Sequence, residues 1–448
     1  MTTITADDAA TTLPTEAATD LPSGDRNRIL AYLGVLVLLV AFGAPFGGLI
    51  SVPVTYFLKN KLHFSAIQVS QFLLVTGVPL WLSAAWGFAR DNWNLFGIRD
   101  RGFMIAFGFL CAAVYVACAF APVTALSLGI GMTVLTITFL FVQSGQLGLT
   151  AAISRQHVMS GQVSAIWNAV ASLPVLFAFA IGGFLSNALE GQHAEQAART
   201  LFLIGAVVMA VVAAFAIWRP KVVYDNVHEE HAPVFRPAAD LARLFKHWPV
   251  YPALGIWLLW NFAPGSATPL QYYLQDKLHG DDAAYGLWNA WFAGSFIPPY
   301  LLYGVLCRRV KLGKLIFWGA VIGAPQMIPL LFIHTPSQAI LTAIPAGLMG
   351  GLATAAFLDL IMRSAPKGLE GTMVMASSAI YYIVSRLGDV LGTVLYQRFG
   401  GFTVCVIAIT VVYALILPTL LLVPKRLLAT ADGETPPGGD FDTDAVKA

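Results

Sequence analysis

Apolar residues in this chain come in long runs. They show neither the strict alternation of a half-buried strand nor the one-sided stripe of a water-soluble helix. A helix needs about 20 apolar residues to cross a bilayer. Twelve runs reach roughly that length: 29–57, 66–89, 103–121, 123–152, 158–187, 199–218, 249–275, 284–306, 315–333, 337–362, 370–397 and 401–424. They predict an all-α membrane protein with twelve transmembrane spans, in two six-helix bundles at 25–218 and 249–427. Residues 219–248 are polar and are expected to form a linker on the cytoplasmic side. Residues 1–24 are rich in Thr, Ala and Asp, lack a basic segment and a cleavage site, and predict a disordered tail rather than a signal peptide. Residues 428–448, acidic and rich in Gly and Pro, predict another.

The two bundles repeat. Pro53, Tyr56, Leu58, Lys61, Leu62 and His63 close the first span, and Pro269, Tyr272, Leu274, Lys277, Leu278 and His279 close the seventh, an offset of 216. The same offset pairs Gln143 in span 4 with Asp359 in span 10.

Charge sets the orientation. Twenty of the 26 Lys and Arg residues fall on the side of the two termini, five fall opposite, and Arg386 lies inside a span. That bias predicts an inner-membrane protein with both termini cytoplasmic. Composition agrees with a membrane setting: 57% of residues are hydrophobic and 11% charged, against roughly 25% charged in soluble domains. A net charge of +2 gives no pull toward nucleic acid. The four cysteines, Cys111, Cys118, Cys307 and Cys405, have no metal or redox spacing, so no metal or cofactor is expected. There is no phosphate-binding loop of the Gly-x-x-x-x-Gly-Lys type and no nucleophile–base cluster. Neither direct use of ATP nor enzyme chemistry is expected.

The loop after span 2 runs Gly87-x-x-x-Asp91 and then Gly97-x-Arg99-x-Arg101. It resembles the cytoplasmic loop signature of the major facilitator superfamily. The longer spacing, with Asn94-Leu95-Phe96-Gly97 ahead of the arginines, resembles the folate–biopterin transporter branch. So does Ala365-Pro366-Lys367-Gly368-Leu369-Glu370-Gly371-Thr372, followed by Leu387-Gly388 and Leu391-Gly392. The resemblance implies two pseudo-symmetric six-helix bundles around a central cavity, with substrate held near the midplane. It implies a monomeric secondary active transporter working by alternating access as a symporter. Its partners would be a small-molecule substrate, the lipid bilayer and a coupling proton or cation. Span 4 departs from the branch, carrying Gln143 and Gln146 where acids are usual.

Within the loop, Gly87 allows close backbone approach of a neighbouring helix. Asp91 can accept bonds from the positive N-terminus of another helix, which the resemblance places at span 11. Arg99 and Arg101 can pair with Asp91 or with anionic lipid. Together, Gly87, Asp91, Arg99 and Arg101 are the expected conformational latch.

Charges inside the membrane are costly and point to function. Three stand out: Asp359, Arg386 and Asp389. At 1.5 Å per residue, Arg386 lies about 3 Å and Asp389 about 8 Å from the midplane, with Asp359 about 13 Å toward the cytoplasm. Arg386 and Asp389 share a helix face with Ser378, Tyr382, Ser385 and Thr393. The expectation is that Arg386 recognises an anion, with Tyr382, Ser378, Gln143, Gln146, Asn168 and Asn261 as further substrate contacts. Asp389 would balance Arg386 when the site is empty and take up the coupling proton, with Asp359 a second proton site. The competing reading is a permanent Arg386–Asp389 pair that only fixes packing. At the level of function, the alternatives are a non-transporting membrane assembly factor or a drug or metabolite exporter.

Overall fold

The computed structural model describes residues 22–46, 54, 58, 62–64, 66–177, 194–224, 237–280, 282–399 and 401–434. Among them there is no strand. The first group of helices is α1 (Ser23–Phe42), α2 (Ala66–Trp81), α3 (Ser83–Asn92), α4 (Asp100–Phe120), α5 (Ala125–Gln156), α6 (Ser160–Ala171) and α7 (Ala194–Ile217). Short helices α8 (Lys221–Tyr224) and α9 (Pro237–Lys246) fall in the expected linker, and residues 225–236 lie outside the described residues. The second group is α10 (Val250–Asn261), α11 (Thr268–Tyr272), α12 (Asp282–Ser295), α13 (Ile297–Leu306), α14 (Leu312–Gly323), α15 (Pro336–Ser364), α16 (Glu370–Arg398), α17 (Phe402–Ala414) and α18 (Ile416–Leu420). A final short helix, α19 (Lys425–Leu428), follows.

Twelve spans were expected; among the described residues, seven helical segments are long and apolar enough to cross a membrane. They are Gln71–Asn92, Asp100–Phe120, Ala125–Gln156, Arg199–Ile217, Leu312–Phe332, Pro336–Ser364 and Phe402–Leu420. The shortfall has more than one source. Parts of spans 1 and 5, residues 47–53 and 178–187, lie outside the described residues. Span 7 is broken between α10 and α11, where Pro264 removes a donor and Gly265 takes φ 122°. Span 8 is divided at Phe296, just before Pro298 and Pro299. Span 11, as α16, is 29 residues long but carries Arg386 and Asp389 in its middle.

The repeat seen in the sequence extends to the backbone. His63 and His279 both adopt a left-handed conformation, at φ 52° and 54°, which is uncommon outside glycine. The amide of Phe64 donates to Leu58 O at 2.9 Å, and that of Gly280 to Leu274 O at 2.8 Å. Both leucines are fully buried.

Small residues let the helices approach closely. An added Cβ at Gly108 would sit 2.9 Å from the Ala213 methyl, joining α4 to α7, and at Gly319 it would sit 3.0 Å from Ala353 Cα, joining α14 to α15. Gly392 of α16 packs on the break in span 7, where an added Cβ would lie 2.8 Å from the Pro264 carbonyl carbon.

Residues 428–448 were expected to be a disordered tail, but the chain stays packed through Glu434. Thr430, Ala431 and Asp432 are buried, because they find hydrogen-bond partners on the bundle. The expected N-terminal tail, apart from its last residues at Pro22–Gly24, lies outside the described residues.

The contact at Gly392 is with backbone that has no room to retreat. Gly392→Ala is therefore expected to lower stability by about 1–3 kcal/mol, read as a lower midpoint of thermal unfolding in detergent. An unchanged midpoint would show that α16 is not seated on the break this tightly.

Candidate functional site

The two halves are joined at one end of the bundle, near the end of span 2 and the start of span 11. Gly87 of α3 lies against α16: an added Cβ would be 2.7 Å from Gly371 O and 2.8 Å from Met375 Cβ. This close approach brings Asp91 to the N-terminus of α16, whose first amides have no partner within the helix. Asp91 Oδ2 accepts from the Thr372 amide and from the Thr372 hydroxyl, each at 2.6 Å. The carboxylate also meets the helix dipole where it is positive.

The ion-pair partner of Asp91 differs from expectation. It is Arg90, which pairs with both Asp91 and Asp100, and all three side chains are buried. Arg101 instead reaches the C-terminal carbonyls of α7, donating to Ala216 O at 2.9 Å and Ile217 O at 2.6 Å, with its guanidinium over the Tyr224 ring. Arg99 precedes α4 in a left-handed turn at φ 44°, its amide donating to Asn94 Oδ1 at 2.8 Å. Arg90 and Asp100 occupy the unassigned positions of the loop motif. Their burial depends on how α3, α4 and α5 pack, which a linear motif does not display.

Further contacts between halves gather at this latch end. Arg155, at the end of α5, donates to Ala365 O at 2.9 Å and lies 3.6 Å from Glu370. Ser164 donates to Ala355 O at 2.6 Å. Arg363, at the end of α15, donates to Ser160 Oγ at 3.1 Å. Asp359 is fully buried here, accepting from Arg363 Nε at 2.8 Å and from the Tyr303 hydroxyl at 2.7 Å. Outside the spans, burial and the nearby Arg26 charge push the His157 imidazole below its usual range.

Away from the latch, Tyr382 meets Phe46 of the first half edge-on, ring centres 5.8 Å apart. Gly371, Met375, Tyr382 and Arg386 follow one another at helical spacing on a single face of α16. Arg386 is exposed and has no ion-pair partner among the described residues. The expected Arg386–Asp389 pair is not formed. Asp389 accepts from the Thr268 amide at 2.8 Å and the Thr268 hydroxyl at 2.9 Å, at the point where span 7 resumes as α11.

The remaining polar candidates divide. Gln146 is buried and donates to Thr150 Oγ1 at 3.0 Å, along its own helix. Asn168, Asn261 and Ser378 donate to Ser164 O, Trp257 O and Val374 O, each four residues back. Gln143 differs: its Oε1 is buried without a partner, as is the indole nitrogen of Trp167 on α6. Among the described residues, no cluster of His, Cys, Asp or Glu is placed to hold a metal.

Residues 37–393 match the Major Facilitator Superfamily. The chain belongs to that superfamily. Its fold is shared with solved structures of superfamily transporters. One is the transporter FucP in the outward conformation, with TM-score 0.68 and 11% identity, covering 88% of this chain and 98% of that one. Another is the proton:xylose symporter XylE bound to 6-bromo-6-deoxy-D-glucose, with TM-score 0.67 and 12% identity, covering 91% and 98%. No curated protein matches the sequence significantly. The folate–biopterin branch finds no support in these comparisons and rests on the loop motifs alone.

Removing the Asp91 carboxylate strips the α16 N-terminus of its acceptor and leaves Arg90 with Asp100 alone. Asp91→Ala is expected to open the latch end in a large fraction of molecules, since breaking a buried pair costs about 3–5 kcal/mol. Ser164, fully buried between the halves, is the reporter. Ser164→Cys should react faster with maleimide when combined with Asp91→Ala, and an unchanged rate would remove Asp91 from the latch.

Proposed function

We propose that this protein is a secondary active transporter that carries a small anionic organic solute across the inner membrane by alternating access. Arg386 is the anion contact, and Asp389 is the acid through which a proton is coupled. The position of Arg386 carries this reading. It continues the face of α16 that closes on Gly87 and Phe46, but beyond those contacts it is exposed. An arginine near the midplane is costly unless it lines a polar cavity or meets a partner. A substrate carboxylate supplies one in bidentate geometry.

Asp389 holds the start of α11 through Thr268. Protonation weakens a carboxylate as an acceptor for two donors, so a proton on Asp389 loosens the break in span 7. That ties proton uptake to movement of a broken helix, the element type that holds substrate in many transporters. Asp359 acts at the latch, through Arg363 and Tyr303. The Lys and Arg bias supports a cytoplasmic latch end, and on that orientation the latched form is the outward-facing one.

A neutral polar solute is the second reading. The buried and unpartnered Gln143 Oε1 and Trp167 Nε1 favour it, since both can bond hydroxyl groups.

A thermal-shift screen of the detergent-purified protein separates these readings, using organic anions, pterins, folates, amino acids and sugars on wild type and Arg386→Ala. An organic anion should stabilise wild type, and Arg386→Ala should weaken its binding about tenfold or more, as loss of a charge-assisted hydrogen bond does. Equal stabilisation of both proteins by a sugar would move the site to Gln143 and Trp167. Stabilisation by none would favour a non-transporting assembly factor.

A further inference from the structure

After α18 the chain turns at Pro424, forms α19, and then crosses the latch end from the second half to the first. Its anchors on the second half are backbone and charge. Thr430 O accepts from the Leu312 amide and from Arg363 Nη1, each at 3.2 Å. The Asp432 amide donates to Cys307 O at 2.8 Å. Its grip on the first half is a carboxylate. Asp432 Oδ1 accepts from the Gly161 amide at 3.0 Å and Oδ2 from the Gln162 amide at 3.1 Å, the second and third residues of α6. The Gly433 amide adds a bond to Val158 O at 2.7 Å. The Asp432 side chain is fully buried, with Arg363 Nη2 3.6 Å away and Cys307 Sγ 3.7 Å away.

This arrangement mirrors the first lock. Asp91, from the first half, meets the first turn of span 11 in the second half. Asp432, from beyond the second half, meets the first turn of span 5 in the first half. The sequence repeat sharpens the match, because the position 216 residues after Asp91 is Cys307. The second half carries no acid there, and the Gly-x-x-x-Asp pattern finds only Gly304-x-x-x-Arg308, one residue farther on. The carboxylate missing from the repeat is supplied at the same place by the segment that follows the last span.

We propose that residues 430–434 are a working part of the gate, with Asp432 the counterpart of Asp91, and that the latch end opens only when Asp432 leaves α6. The proposal does not depend on which solute is carried. The segment stays with the second half through Thr430 and Cys307, while the bonds to Gly161, Gln162 and Val158 break. Burial raises the Asp432 carboxyl to about 6, Asp359 adds to the rise and Arg363 opposes it. Burial thus offsets part of what the two amide bonds give the carboxylate, which suits a contact that must both hold and release.

The test is a distance measurement between spin labels on the two halves. Phe96→Cys and Arg308→Cys, both at exposed positions on latch-end loops, are introduced where the four native cysteines are replaced by serine. The protein is reconstituted in liposomes. Asp432→Ala should raise the population of the longer, open distance roughly tenfold. Asp432→Asn, which keeps the shape and one acceptor, should raise it less, and Asp91→Ala is the positive control. Thermal unfolding of each variant shows that it is folded, and Asp432→Asn keeps the test decisive if Asp432→Ala does not fold. Asp432 variants with the wild-type distance distribution, beside a shifted Asp91→Ala, would overturn the proposal and make the segment a static cover.

Discussion

The first turn of a helix carries amides that the helix itself cannot bond. At the latch end of this protein, two such turns face the opposite half, and a carboxylate answers each of them. Asp91 sits at the start of α16 and Asp432 at the start of α6. These contacts are strong because they are buried and charge-assisted. They are also breakable as a unit, since each joins a side chain to backbone and does not interlock side chains. Around them, Arg90, Arg155 and Arg363 balance the buried acids, and across the boundary Arg155 binds the Ala365 carbonyl and Arg363 the Ser160 hydroxyl. The close approach at Gly87 makes the first of these contacts possible, and Arg386 lies exposed farther along the same face of α16.

The contrast along α16 links structure to transport. Its first turns are buried against the first half, and its middle carries an exposed arginine and an acid held by Thr268. One helix thus takes part in the proposed gate, the proposed anion site and the seat of broken span 7. A rigid tilt of α16 would move all three together, as alternating access requires.

Much of this was legible in the sequence where the signal is local. The offset of 216 was visible as repeated residues, and the backbone keeps it in the turns at His63 and His279. Gly87 and Asp91 stand in one short motif, so their meeting with α16 could be expected. What stayed hidden was set by packing over long separations. Asp432 reaches Gly161 across 271 residues, and in the sequence it is one more acid in a polar tail. Arg90 is an unassigned position of the loop motif, and only the packing of α4 and α5 makes it a buried partner of two acids. The broken spans read as single apolar runs because proline and glycine interrupt a helix without interrupting its hydrophobicity. The Arg386–Asp389 pair failed for the converse reason: spacing put the two on one face, but Thr268 on another helix offered Asp389 a better partner.

The placement of Asp432 also bears on how the protein is made. Thr372, the partner of Asp91, emerges before the last span, so the first lock can form while synthesis continues. Asp432 follows every span that it holds together. Until it has left the ribosome, the amides of Gly161 and Gln162 have no acceptor from the second half, although Ser160 and Ser164 of the same helix can already bond Arg363 and the Ala355 carbonyl. On the proposed role of Asp432, completion of the gate therefore waits for the chain beyond the final helix.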